Sequence, residues 1–263
     1  MKSESDKARR RTVLCVSGLD PSGGAGLQAD IEAVQAQGAH ALGIVTALTV
    51  QNTINSRSVT AVAAELISEQ IAALREDLQI DAIKLGLLGN RAQVELLARI
   101  AGELDCPLVL DPVLIAGGGA ELAGEAVASA LRQLLIPRAT VITPNLYEAR
   151  RLCRSDDKAE ACATQLLAAG AQAVLITGGD LADQQVRNYW QARQGPGHWF
   201  EYTRLHGQFH GSGCTLAAAL AARLALGEAL RTAAQQAQDY CATTLAAAFR
   251  PGRGQLIPNR RPQ

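Results

Sequence analysis

Residues 13–37 read VLCVSGLDPSGGAGLQADIEAVQAQ, and the order of residue types in this stretch decides the fold. Val13 to Ser17 is a short apolar run of the kind a buried strand needs. Gly18 to Gly26 is a glycine-rich turn, and Ala25 to Gln37 carries apolar residues at helical spacing. A strand that turns directly into a helix is the first half of a crossover, which brings the next strand alongside in parallel. The pattern repeats outward. Ile44 to Leu48, Ala82 to Leu85, Leu108 to Leu110, Val141 to Thr143 and Ala173 to Ile176 read as strands. Leu66 to Leu78, Arg91 to Glu103, Leu122 to Leu135 and Lys158 to Ala169 read as helices. Such alternation predicts an α/β fold in three layers, a mostly parallel central sheet with helices on both faces. One stretch departs from it: Val186 to Ala192 and His198 to Arg204 flank Gly195-Pro196-Gly197 and predict an antiparallel hairpin. Two Ala-rich helices, Gly213 to Leu226 and Ala229 to Ala248, close the chain.

The 263 residues carry 25 Lys+Arg against 25 Asp+Glu, 48% hydrophobic and 3% aromatic residues. There is enough apolar material for a large core, and no excess positive charge or aromatic platform for nucleic acid or a membrane surface. Residues 1–11 mix both charge signs before a short apolar run, too short for a signal core or a membrane span. They read as a solvated tail ahead of a single domain over residues 12–263. Six cysteines without CxxC spacing imply neither a zinc site nor a disulfide framework, and a reducing cytoplasm is expected.

In a sheet of this kind ligands bind beyond the carboxyl ends of the strands. Four segments fall there: Gly18 to Gly26, Asp111-Pro112-Val113, Thr143 to Glu148 and Gly211 to Thr215. The first brings backbone N–H groups close to a ligand without matching either common nucleotide fingerprint, although a tight turn alone would also use glycine. Asp30, one turn into the helix, suits a solvated carboxylate favoured by the helix dipole. Gln51, in TALTVQNT, offers an acceptor and a donor side by side, which matches a heterocycle edge where an NH₂ adjoins a ring nitrogen; it also suits a turn. Asn145 and Glu148 have the spacing of a helix cap, and equally of a hold on Mg²⁺ waters and phosphate oxygens, with Asp111 as a further oxygen ligand. Gly211-Ser212-Gly213 exposes N–H groups at a helix start, a seat for charge that develops during phosphoryl transfer. Cys214, in that setting, is expected to have a lowered pKa and to be partly thiolate.

Taken in order, GLDPSGGAGLQAD, TALTVQNT, DAIKLGLLGN, LDPV, VITPNLYEA and HGSGCTLAAALA resemble the hydroxymethylpyrimidine/phosphomethylpyrimidine kinases of thiamine biosynthesis. The likeness spans about residues 12–257. It implies a ribokinase-like fold, usually a homodimer, and two ATP- and Mg²⁺-dependent steps that build first the monophosphate and then the diphosphate of a hydroxymethylpyrimidine. It places pyrimidine contacts on Gly18, Asp30 and Gln51, the catalytic cysteine on Cys214, the anion hole on Gly211 to Cys214, and Mg²⁺ and phosphate contacts on Asp111, Asn145 and Glu148. Two positions depart from the pattern. Thr177 stands where many members carry a lysine for ATP phosphates, and Leu87 stands where many have methionine. A pyridoxal kinase of the same superfamily is the alternative enzyme. A non-catalytic pyrimidine sensor is a third reading, with Thr177 as its support.

Overall fold

The computed structural model describes residues 9–115, 123–179 and 184–261. Its strands are β1 (Thr12–Leu19), β2 (His40–Gln51), β3 (Ser56–Ala61), β4 (Ala82–Leu85), β5 (Leu108–Leu110), β6 (Val141–Ile142), β7 (Ala173–Ile176), β8 (Gln185–Ala192) and β9 (His198–Thr203). They form one sheet in the order β3-β2-β1-β4-β5-β6-β7-β8-β9. The run from β2 to β7 is parallel, while β3, β8 and β9 are antiparallel to their neighbours.

Eight α-helices occur among the described residues: α1 (Gly26–Ala36), α2 (Ala64–Asp77), α3 (Arg91–Glu103), α4 (Glu125–Ala130), α5 (Leu146–Cys153), α6 (Ala159–Ala168), α7 (Ser212–Ala225) and α8 (Leu230–Ala246). Successive strand residues point to opposite faces, and here both faces are covered. Leu14, Val16, Ile83, Leu85 and Leu110 enter one core with α2 to α6. Val13, Cys15, Ala82, Val109 and Ala173 enter a second, against α1, α7 and α8. That double burial explains why these strands read as continuous apolar runs. The expected three-layer α/β architecture is the one observed.

Three local differences have physical causes. The edge strand β3 gave no sequence signal, because SRSVTA lies on the rim with no residue fully buried. It forms because the Asn52 side chain accepts from the N–H groups of Ile54 and Asn55 (2.9 and 3.1 Å) and reverses the chain after β2. Of the helix expected over Leu122 to Leu135, Leu122 lies outside the described residues and α4 begins at Glu125; past α4 the chain widens into a π turn (Leu131–Leu135) and a 3₁₀ turn (Ile136–Arg138). Pro137 lacks the N–H that would continue the ladder. The last residues of the expected tail are anchored: Arg9 and Arg11 donate to Asp81. Among the described residues no helix is long and apolar enough to cross a membrane.

Strand order decides where the site lies. From β1 the chain moves to β2 on one side and later to β4 on the other. The crevice therefore opens at the carboxyl ends of β1 and β4.

Candidate active site

At that crevice the glycine turn after β1 meets the start of α7. Gly211, the residue before α7, has φ +85°, and a Cβ there would collide with the Gly24 carbonyl. Only glycine combines that left-handed conformation with so close an approach. Gly26 has φ +61° and its Cα faces the Gly18 carbonyl just as tightly, so the turn folds back on itself; Gly18 is buried beneath it, with Leu87 against its Cα. Arg260 clamps the two segments. Its guanidinium donates to the carbonyls of Gly23 and Gly24, to Glu32 (3.1 Å) and to Thr215 Oγ1 (2.9 Å).

Cys214 lies in the first turn of α7 and is half-buried. Its sulfur lies within electrostatic reach of the N–H of Gly26, the first residue of α1, and of the Asp111 carboxyl group. Two helix N-termini thus meet at one sulfur. The thiol is nonetheless pushed up to about 12, by burial first and then by Asp111 and Asp30, against the opposing pull of Lys84. This corrects the expectation of a partly ionised thiolate: desolvation and two carboxylates outweigh one ammonium and the helix start.

Lys84 is the centre of this cluster. It is fully buried, with Nζ 2.8 Å from Asp30 Oδ1, 3.1 Å from Ser17 Oγ and 3.7 Å from Asp111 Oδ2. Burial works against its charge, but Asp30, Cys214 and Asp111 hold the ammonium above its ordinary range. Asp30 therefore is not a solvated carboxylate, nor is it in place to touch a ligand. It is 0% exposed, bonded to Lys84 and Ser17, and reaches the site through Lys84. Asp111 is raised to about 6, by burial first and by Asp30, against Lys84. Its Oδ2 has no hydrogen-bond partner.

Asn145 and Glu148 form a reciprocal cap on α5: Glu148 N–H donates to Asn145 Oδ1 (2.8 Å) and Asn145 N–H to Glu148 Oε2 (3.0 Å). Glu148 Oε1 also accepts from Leu114 N–H (3.2 Å), which ties the loop after Asp111 to α5. The cap takes one lone pair of Asn145 Oδ1, and each Glu148 oxygen accepts one N–H, so both residues keep acceptor capacity. No group of three or more His, Cys, Asp or Glu side chains suited to a metal ion occurs among the described residues. Asp111 Oδ2, which has no hydrogen-bond partner and has Lys84 Nζ 3.7 Å away, and the Glu148 carboxylate form a set that would suit Mg²⁺ held mostly by nucleotide phosphates and water.

Gln51, at the end of β2, lies 2.8 Å from His210 Nε2, and the same nitrogen is 2.8 Å from Asp20 Oδ2. Thr177 donates its N–H to the Pro144 carbonyl (2.9 Å), beside the α5 cap. Arg204 donates to Gly179 O (3.0 Å) and brings a guanidinium to the loop where the family resemblance leads one to expect lysine.

Four residues of this arrangement escaped the sequence reading: Lys84, Asp20, His210 and Arg260. Lys84 did leave a signal, a cation inside the four-residue strand AIKL, because an ammonium buried on both faces demands carboxylate partners. Arg260, four residues from the end of a polar tail, left none.

Known proteins resemble this chain in sequence and in overall fold. Residues 20–259 match the family model described as phosphomethylpyrimidine kinase. A hydroxymethylpyrimidine/phosphomethylpyrimidine kinase of Streptomyces coelicolor is 35% identical over 247 residues, covering 92% of this chain and 91% of its own. Among solved structures, an ADP complex of Bacillus subtilis pyridoxal kinase superposes with TM-score 0.88 at 30% identity, covering 96% of this chain and 98% of that one. A phosphomethylpyrimidine kinase of Clostridium difficile 630 gives 0.76 at 28% identity, covering 88% and 98%.

Proposed function

The chain belongs to the phosphomethylpyrimidine kinase family, and on that premise we propose that it transfers the γ-phosphoryl group of ATP twice: to the hydroxymethyl oxygen of 4-amino-5-hydroxymethyl-2-methylpyrimidine, and then to the resulting monophosphate. The observation that carries this reading is the packing of the glycine turn onto Gly211 at the start of α7, which sets the sulfur of Cys214 between the N-termini of α1 and α7, near Asp111 and Lys84.

Phosphoryl transfer asks a protein for alignment and charge neutralisation more than for covalent chemistry. The N–H groups of Gly211 to Cys214, at the start of α7, would meet the equatorial oxygens of the moving group as they gather charge. Lys84 offsets part of that charge through Asp111 and Cys214. Mg²⁺, with Asp111 and Glu148 holding its water shell, would supply further neutralisation when bound. Cys214 is protonated before the reaction begins, so it does not pull a proton from a resting alcohol. It takes the hydroxyl proton at Sγ late, as the oxygen becomes an ester oxygen, while its own proton passes to Asp111.

Pyridoxal is also a hydroxymethyl-bearing aza-aromatic, and the high structural overlap with pyridoxal kinase makes it the second substrate to try. The test is ATP consumption coupled to a reporter, with hydroxymethylpyrimidine, its monophosphate and pyridoxal compared by kcat/KM. The pyrimidines should exceed pyridoxal. A preference for pyridoxal would replace this assignment, and turnover of none would remove it.

A further inference from the structure

His210 and Asp20 have no part in the chemistry above, yet both are almost fully buried, 6% and 3% exposed, and both bear on Gln51. Asp20 is an acceptor on both oxygens. Oδ1 accepts from Ser22 N–H (2.9 Å), Oδ2 from Ala25 N–H (2.9 Å), and the Ser22 hydroxyl lies across both. Burial by itself would raise its pKa, and the bonds from Ser22, made independently of His210, work against that and favour the carboxylate. The ring nitrogen 2.8 Å from Oδ2 must therefore carry a proton, since a lone pair there would face a carboxylate.

That settles the neighbouring amide. The Gln51 amide nitrogen, Nε2, is placed 2.8 Å from His210 Nε2, and one ring nitrogen has either a proton or a lone pair, never both. With the proton directed at Asp20, Nε2 has nothing to accept with, so an amide NH₂ cannot lie against it. An amide oxygen can, sharing the ring N–H. The two ends of an amide exchange by a half-turn with no change in shape, and only the orientation with Oε1 toward His210 satisfies the donors and acceptors present. The ring is in turn fixed: its backbone N–H donates to Leu256 O (2.8 Å), and the Cα of Gly24 packs flush against Cδ2.

We propose that His210, held by Asp20, is a positioning residue that turns the Gln51 amide so that its NH₂ group faces the ligand, and the site therefore reads a hydrogen-bond acceptor, a ring nitrogen of an aza-aromatic, at this position. This rests on the reading that Gln51 lines the heterocycle site. It narrows the sequence expectation of a paired acceptor and donor: Oε1 is already used, so an exocyclic amine next to the ring nitrogen finds no partner on Gln51. A donor-only edge suits any hydroxymethyl-bearing aza-aromatic, whatever its neighbouring substituent.

The test uses the full-length enzyme. Gln51→Leu and Gln51→Glu are compared by steady-state kinetics, since Glu keeps the shape and supplies only acceptors. Both should raise the KM for hydroxymethylpyrimidine by 10-fold or more, on the scale of leaving a buried polar edge unpaired, with the KM for ATP unchanged. If Gln51→Leu leaves the KM unaltered, Gln51 is not in the site and the functional reading of this residue fails. If Gln51→Leu raises KM while Gln51→Glu keeps it within about twofold, the oxygen does the recognising and the positioning proposal alone is overturned. His210→Phe should raise the pyrimidine KM by about 3- to 10-fold with kcat within about twofold; equal changes in kcat and in both KM values would make His210 a general structural residue. Independently of any variant, ¹⁵N-edited imidazole spectra should find His210 Nε2 protonated at neutral pH, and an unprotonated Nε2 would overturn the proposal.

Discussion

β1 and β4 run side by side, and a buried carboxylate meets cations at each end of the pair. At the amino end Asp81 accepts from Arg9 (2.7 and 2.9 Å), Arg11 (2.9 Å) and the N–H of Thr12 (2.8 Å). Burial pushes its pKa up, but these donors win and hold it at about 2. At the carboxyl end one ammonium, Lys84, is shared among Asp30, Asp111 and Cys214. There Asp111 rises to about 6 and keeps an oxygen without a hydrogen-bond partner. Positions three residues apart, Asp81 just before β4 and Lys84 within it, thus carry opposite solutions. At one end every lone pair is met, and the group serves stability. At the other, acceptor capacity exceeds the donors the chain supplies, as at a site built to receive a ligand.

The contrast can be broken at either end. Cys214→Ala should give the largest effect. It should slow hydroxymethylpyrimidine phosphorylation by about 10²- to 10⁴-fold in single-turnover assays. The monophosphate step should lose less, because a phosphate oxygen is already ionised near neutral pH and needs no base. Equal losses in both steps would recast Cys214 as a group that positions rather than one that takes a proton.

Lys84→Met should come next, and in stability rather than rate. It strands two buried carboxylates without their cation, which costs about 3–5 kcal/mol and is read by urea unfolding. A loss below about 1 kcal/mol would mean that Asp30 and Asp111 find other partners, and would dissolve the contrast.

Asp81→Asn should cost only about 1 kcal/mol at pH 7, since Arg9 and Arg11 are partly exposed and solvent screens them. The sign follows from linkage. The folded pKa, about 2, is below the ordinary 3.8, so this stabilisation is complete above about pH 4 and fades as the pH falls through 2. Thermal unfolding of variant and parent should converge near pH 2; a gap that persists there would locate the loss in packing instead.

Much of this was legible beforehand. The strands Ala82–Leu85, Leu108–Leu110 and Ala173–Ile176 and the helix Arg91–Glu103 have the bounds their apolar spacing gave, because burial on both faces writes itself into the sequence as an unbroken apolar run. The Gly18–Gly26 turn and the Gly211–Cys214 segment were legible for the same kind of reason, since tight backbone approaches exclude side chains. What stayed hidden was pairing. Asp30 looked like a surface carboxylate because nothing within a helical turn of it is basic; its partner, Lys84, comes from a strand 54 residues away. The Cys214 thiol was expected to ionise on the strength of its helix start, and the two carboxylates that raise it arrive from β5 and α1.

By itself, then, the sequence determined the alternation of elements, the residues able to sit at tight turns, and the loops that gather at one edge of the sheet, because each depends on the chemistry of a residue and its near neighbours. Only the tertiary structure decided which charges share one buried ammonium, that Gln51 meets the buried His210–Asp20 pair, and that Arg260 ties the glycine turn to the start of α7. Those outcomes depend on distances between segments far apart along the backbone, and electrostatics in a buried setting responds to distance and desolvation, not to order in the chain.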